Sequence, residues 1–307
     1  MQRRFQTAVA LSLVLATAAP AMRAFARAET KVEQHININE RNEATEEQLL
    51  KIDGSMREHT AKITAHCKTP MEVARKLLDE ISGYGNEEMT QTGITANAQR
   101  TFYLKRGFCS SRSYLFIALF NERMKELEMN AEARLCEIYR NDNAFRTIPH
   151  VAVAVIEGDH TVIFDPTLNR IIDRRFKPIA AKVLNSSGVL SNHFVNLAAI
   201  EGGRNPVKAE ELARTAIKIE PRSAFAHYAY VLYLVQNRKL NEAKEEAEKV
   251  VKLAPTWPNG YETFEDILSK LGLKNEKNKL WEIRIKVMPD ESWDINKFLR
   301  EMGYKSE

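Results

Sequence analysis

Three prolines, Pro221, Pro255 and Pro289, stand 34 residues apart, and each follows an amphipathic helical run. A helix pair of that length cannot bury its apolar faces alone and must stack on a neighbour. In the middle unit Ala243, Ala247 and Val250 occupy small or apolar sites before Pro255, and His227, Tyr230, Val231 and Leu234 form the contact face of the preceding helix. The first unit, about Leu190 to Pro221, carries Ala209, Ala213 and Ala216 at corresponding sites. The third, about Pro258 to Pro289, is the most degenerate, with Lys277 and Trp281 where small and aromatic residues are expected. Residues 291–303, with Trp293, Ile295, Phe298 and Leu299, are predicted to form a terminal capping helix. An all-α array is therefore expected over 187–290, with a cap and tail over 291–307.

The other end of the chain reads as an export signal. Arg3 and Arg4 precede an uncharged stretch from Phe5 to Met22, and Ala26-Arg27-Ala28 offers a small-x-small cleavage site before Glu29. Gln6 and Pro20 interrupt the apolar stretch, which argues against a permanent anchor. Cleavage after Ala28 predicts a periplasmic or secreted protein without a stable membrane span. Residues 1–28 hold four of the 45 basic residues and none of the 41 acidic ones, so the remainder is balanced at 41 of each. That balance gives no basis for a nucleic-acid partner.

Between these ends, residues 29–48 are expected to be a polar lead-in, and residues 49–186 a separate domain. The spacing of Leu49, Leu50, Ile52, Met56 and Ile63 permits a helix. Thr69-Pro70-Met71-Glu72 is a strong helix start, in which Thr69 can cap and Glu72 can complete a capping box. Val73, Leu77, Leu78 and Ile81 form one face, and Gly83-Tyr84-Gly85 ends the run. Residues 84–106 read as loops and short turns. A buried helix is predicted from Cys109 through Leu127, then three β runs: Ala133–Tyr139, His150–Ile156 and Thr161–Asp165. Glu157-Gly158-Asp159-His160 marks a hairpin, which puts His150 and Asp165 on neighbouring antiparallel strands.

Cys109, His150 and Asp165 are the candidate catalytic residues. An imidazole can take a thiol proton while a carboxylate holds its other ring nitrogen. A helix N-terminus at Cys109 would favour the thiolate, the reactive form. The three cysteines, Cys67, Cys109 and Cys136, leave at least one thiol free. If Cys109 is the nucleophile, Cys67 and Cys136 are the natural disulfide pair; the alternative is two small buried apolar side chains. His160 reads as a solvent-facing turn residue, and Arg112 and Tyr114 as local packing or cleft polarity. His59, His66 and Cys67 lack a matching second ligand pair, so no metal site is expected.

The segment 107–167 resembles the transglutaminase-like superfamily. The matching elements are Gly107-Phe108-Cys109 before a helix, His150-Val151-Ala152-Val153, and Phe164-Asp165-Pro166-Thr167, with Cys-to-His and His-to-Asp gaps of 41 and 15. The resemblance implies a papain-like α+β fold with an antiparallel sheet and a Cys-His-Asp triad, needing no cofactor. The 34-residue period is similar to tetratricopeptide repeats, and the whole arrangement is similar to bacterial proteins joining the two. The chain departs from the common pattern after His150, where many relatives carry a tryptophan. Here the first Trp is Trp257, so no tryptophan can serve as oxyanion donor in the catalytic domain. That argues against crosslinking of the eukaryotic type. The Cys109 backbone N–H is a candidate oxyanion donor, with Gln99 or Asn97 as a second.

These readings together predict an exported cysteine-dependent acyl-transfer enzyme, an amide or peptide hydrolase. Its substrate is a protein or peptide, and the repeats contact a protein partner. Nothing in the sequence marks an amine-acceptor site. The competing expectation is a non-catalytic interaction or scaffold protein that retains the enzyme fold.

Overall fold

A computed structural model describes residues 45–85, 97–138, 150–173 and 181–287. The predicted leader over 1–28, most of the lead-in, Pro149, Pro289 and the predicted capping helix lie outside these residues. The described residues form eleven helices and one five-stranded antiparallel sheet.

Short polar side chains set the helix starts. Helix α1 (Glu46–Leu49) begins inside the expected lead-in, because Thr45 and Gln48 form a reciprocal capping box with bonds of 2.7 and 3.2 Å. Asp53 caps α2 (Gly54–Ile63) by accepting the Met56 N–H at 3.1 Å. Helix α3 (Pro70–Ser82) starts at Thr69 as its sequence predicts, and Val73, Leu77, Leu78 and Ile81 are buried. Glu72 accepts the Lys68 N–H at 2.6 Å, one residue before the cap that the box predicts.

The stretch read as loops contains a helix. Asn97 caps α4 (Ala98–Leu104) through the Arg100 N–H at 2.9 Å, and Lys105 ends it in the left-handed region at φ 51°. Only seven residues long, α4 lacks enough turns to show a period. Burial of Ala98, Thr101 and Phe102 against the next helix holds it in place.

That next helix, α5 (Cys109–Glu126), is the hub of the sheet-bearing half. It packs on α2, α3 and α4 on one side and on β1 (Glu132–Ile138) and β2 (His150–Glu157) on the other. The hairpin continues into β3 (His160–Asp165), then β4 (Arg170–Asp173); β5 (Ala181–Val183) joins the far edge, in the order β4-β3-β2-β1-β5. Glu157 pairs with His160, so the turn is Gly158-Asp159, and Gly158 has φ 56°, a conformation that favours glycine. Leu135, Val151, Val153, Val155, Val162 and Phe164 join the α5 core, where Phe164 meets Phe116 at 5.6 Å between ring centroids.

The opposite parity buries Cys136, Ile138, Ala152, Ala154, Ile163 and Ile172 in a second cluster. This separation corrects the expected disulfide. Cys67 packs against the α5 core and Cys136 belongs to the second cluster, and all three cysteines are free.

Six helices follow in succession: α6 (Ser186–Gly202), α7 (Pro206–Ile219), α8 (Ala224–Gln236), α9 (Leu240–Leu253), α10 (Pro258–Lys270) and α11 (Lys274–Val287). Each packs on the next, and α6 also packs on α8. Ala209, Ala213 and Ala216 on α7, and Ala243, Ala247 and Val250 on α9, are buried. At Gly202 a β-carbon would lie 2.6 Å from Tyr233 Cε1, so only glycine lets α6 end against α8. Trp257 fills the space between units, with centroids 5.1 Å from Phe225 and 4.7 Å from Tyr228. On α11 only Leu280 is buried, and Trp281 is 56% exposed. No helix among the described residues is long and apolar enough to cross a membrane.

Candidate active site

Cys109 is the first residue of α5, and it is half-buried. The turn before it is held by Ser111, whose hydroxyl accepts the Phe108 N–H at 2.9 Å and donates to the Phe108 carbonyl at 3.1 Å. Gly107 is required for this geometry, because a β-carbon there would lie 2.7 Å from Ser111 Oγ and 3.2 Å from Thr101 Cγ2. The first main-chain bond of α5 runs from Arg112 N to Phe108 O at 3.0 Å. The N–H groups of residues 109–111 precede that bond, so they have no acceptor within their own helix. They offer a positive main-chain end beside the thiol.

His150 and Asp165 come together from the strand register. Val153 pairs with Phe164, so His150 and Asp165 share the opposite parity and lie diagonally across the strand pair. His150 Nε2 donates to Asp165 Oδ2 at 2.8 Å, and the two side chains are 2% and 0% exposed. The second carboxylate oxygen, Oδ1, accepts the Thr167 and Leu168 N–H groups at 3.0 and 3.2 Å. Asp165 is thereby fixed as an acceptor on both oxygens and engages His150 through Nε2, while His150 Nδ1 is itself buried.

Burial alone would drive the His150 pKa down. The hydrogen bond to Asp165 and its charge, followed by a hydrogen bond and charge from Cys109, outweigh that and raise it to about 9. At neutral pH the ring therefore holds its second proton, the state that stabilises a neighbouring sulfur anion and can deliver a proton to a leaving group.

Arg112, one turn into α5, is 2% exposed, and its guanidinium bonds outward to main chain. Nε donates to Gly107 O at 2.9 Å, Nη1 to Pro166 O at 3.3 Å, and Nη2 to Tyr84 O and to Gly85 O at 2.8 Å. Tyr114 is also buried and donates to Asn192 Oδ1 on α6 at 3.3 Å. Asn196 on α6 donates to Ser110 Oγ at 2.9 Å and to Asn192 Oδ1 at 3.0 Å. The start of α5 is thus tied to the helical array. Sequence reading passed over Ser110, Asn192 and Asn196. The available signal was two asparagines four residues apart in the apolar α6.

The two side chains suggested as second oxyanion donors make local bonds. Asn97 Oδ1 caps α4, and Gln99 Nε2 reaches Asp53 Oδ2 at 3.5 Å. His160 is half-buried at the start of β3 instead of lying free in the turn. His59 pairs with Glu80 at 3.2 Å, and no group of three or more His, Cys, Asp or Glu among the described residues is placed to hold a metal ion.

No protein-family model matches the chain, and no curated protein matches it. Among solved structures it is similar to the MamA D159K mutant at 20% identity and a TM-score of 0.29, over 37% of this chain and 68% of that one. It is also similar to "a Putative Cysteine Protease from Cytophaga hutchinsonii" at 18% identity and a TM-score of 0.31, over 45% of this chain and 52% of that one. The chain spans about half the length of the second structure. One neighbour is a helical-repeat protein and the other is cysteine-protease-like.

Proposed function

We propose that the chain is an exported cysteine-dependent amide hydrolase, with a papain-like, transglutaminase-like domain over 49–186 and tetratricopeptide-like repeats over 187–290. The observation that carries this reading is the buried His150–Asp165 hydrogen bond; Cys109, at the first turn of α5, adds to the electrostatics that raise the same imidazole's pKa. In this reading Cys109 sulfur attacks an amide carbonyl carbon, and main-chain N–H groups at the start of α5 receive the developing oxyanion. The carbon–nitrogen bond breaks and the His150 imidazolium protonates the leaving amine, leaving a thioester on Cys109. Water then attacks the thioester, His150 takes its proton, and the carbon–sulfur bond breaks to return the thiol and release a carboxylic acid. Asp165 orients the ring throughout. An amine in place of water would give transamidation.

The test is a panel of peptide, glycopeptide and amine-donor substrates incubated with the purified protein and with Cys109→Ala. Hydrolysis or transfer that vanishes in the variant is expected. No turnover across the panel, or turnover that survives Cys109→Ala, contradicts the reading.

A binding role has its own support. Tyr228, Leu232 and Val235 on α8, with Asn259, Glu262, Thr263 and Asp266 on α10, line a groove of about 410 Å³. Leu232 and Val235 are only half-buried there. Such a groove suits a peptide or partner protein. A non-catalytic scaffold would keep this groove and show no Cys109-dependent turnover.

A further inference from the structure

We infer that Arg112 is a positioning residue for the Cys109–His150–Asp165 site, locking the segment that carries the nucleophile to the segment that carries the carboxylate. This inference rests on the proposed function, because it assigns Arg112 a role in arming that same thiol.

The geometry is specific to the two segments. Gly107 lies two residues before Cys109, and Pro166 directly follows Asp165, and one guanidinium donates to both carbonyls. Two further bonds go to Tyr84 and Gly85, and that turn is itself clamped to the Cys109 segment. Gly85 N donates to Lys105 O at 2.9 Å, and Gly107 N donates to Gly85 O at 3.1 Å. Arg112 therefore sits where three stretches of chain meet, each joined to a candidate catalytic residue or to the turn before one.

The choice of arginine follows from its chemistry. Its planar fork presents five N–H donors in fixed directions, and here they reach four carbonyls on three segments. A lysine ammonium in the same place carries the charge but cannot span them. Burial lowers the Arg112 pKa, while the charges of Asp165 and then Cys109 act in the opposite direction, so the cation and the two candidate anions interact electrostatically. A buried cation is costly unless it is well bonded. A residue present only to fill volume would not need one.

The test is the alkylation rate of Cys109 by iodoacetamide over pH 5–9, read at the Cys109 peptide by mass spectrometry in the full-length protein. The proteins compared are wild type, His150→Ala, Arg112→Gln and Arg112→Lys, with thermal melts alongside. At pH 6 the rate in folded Arg112→Gln is expected to fall by about tenfold or more, while at pH 9 it stays within about threefold of wild type. Arg112→Lys, which keeps the charge and loses the fork, is expected to fall between the two. A residue that only stabilises the fold would lower the melting temperature and leave the pH profile of the folded protein unchanged. Profiles of Arg112→Gln and wild type that superimpose therefore overturn the inference. If Arg112→Gln does not fold, the Arg112→Lys profile decides by the same criterion. Wild-type Cys109 that is armed relative to His150→Ala, with Arg112 variants unaltered, removes the Arg112 role alone. Wild-type Cys109 that behaves as a free cysteine removes the proposed function and the Arg112 role together.

Discussion

His150 Nε2 lies 2.8 Å from Asp165 Oδ2, and the pair is sealed from solvent beside the first turn of α5. The contact spans 15 residues of sequence and is made by a hairpin whose turn is only two residues long. A short turn fixes register, and register fixes which side chains become diagonal neighbours. Changing the charge of Asp165 should therefore alter the ring without moving the strands.

Asp165→Asn tests that separation. An asparagine oxygen can still accept the Thr167 and Leu168 N–H groups, so the loop after β3 should hold. The negative charge is lost, and the His150 titration should move from about 9 toward the ordinary imidazole range. Histidine ring NMR titration reads this directly. An unchanged titration in Asp165→Asn contradicts the electrostatic account.

Two histidines should tilt the pH dependence of stability in opposite directions. The His150 pKa rises on folding, so its contribution is fully present below about 6.5 and is lost as pH climbs toward about 9. The loss should be on the order of 3 kcal/mol. His193 on α6 is 5% exposed, and burial lowers its pKa to about 4. Its unfolded state takes up a proton first, so its contribution is present above about 6.5 and is lost as pH falls toward 4. Urea melts from pH 4 to 9 should show His150→Ala flattening the alkaline slope and His193→Gln flattening the acid slope. Parallel curves for wild type and either variant would remove the corresponding assignment.

The turn before Cys109 makes a coupled pair of substitutions informative. Gly107→Ala must displace the Ser111 hydroxyl, which then loses the Phe108 N–H. Each of Gly107→Ala and Ser111→Ala should cost about 1–2 kcal/mol. The double variant should cost less than the sum, because the clash and the cap share one oxygen. Strict additivity in denaturant melts would show that the two residues do not interact.

In the helical array, Trp257→Ala should be the most damaging single truncation. It removes a fully buried ring held between Phe225 and Tyr228, at a cost of about 3–5 kcal/mol. A melting temperature within a degree or two of wild type would mean that α8 and α10 do not depend on this contact.

Much of this was legible from local pattern. The 34-residue period, the cap at Thr69, the Gly158-Asp159 turn and the contexts of Cys109, His150 and Asp165 each rest on neighbours in sequence. What escaped rests on long-range partners. Arg112 looked like any polar residue on a helix, because its acceptors on Tyr84, Gly85 and Pro166 are 28, 27 and 54 residues away. Asn196 found Ser110 across 86 residues. Cysteine counting gave no access to sheet sidedness, which puts Cys67 and Cys136 in separate clusters. Helix α4 is too short for periodicity to reveal it.

The most direct test of the central claim is the alkylation rate of Cys109 at pH 6 in wild type and in His150→Ala. The wild-type rate is expected to be about tenfold or more above that of a free cysteine, falling to the free-cysteine rate in His150→Ala. Equal rates in the two proteins would contradict it.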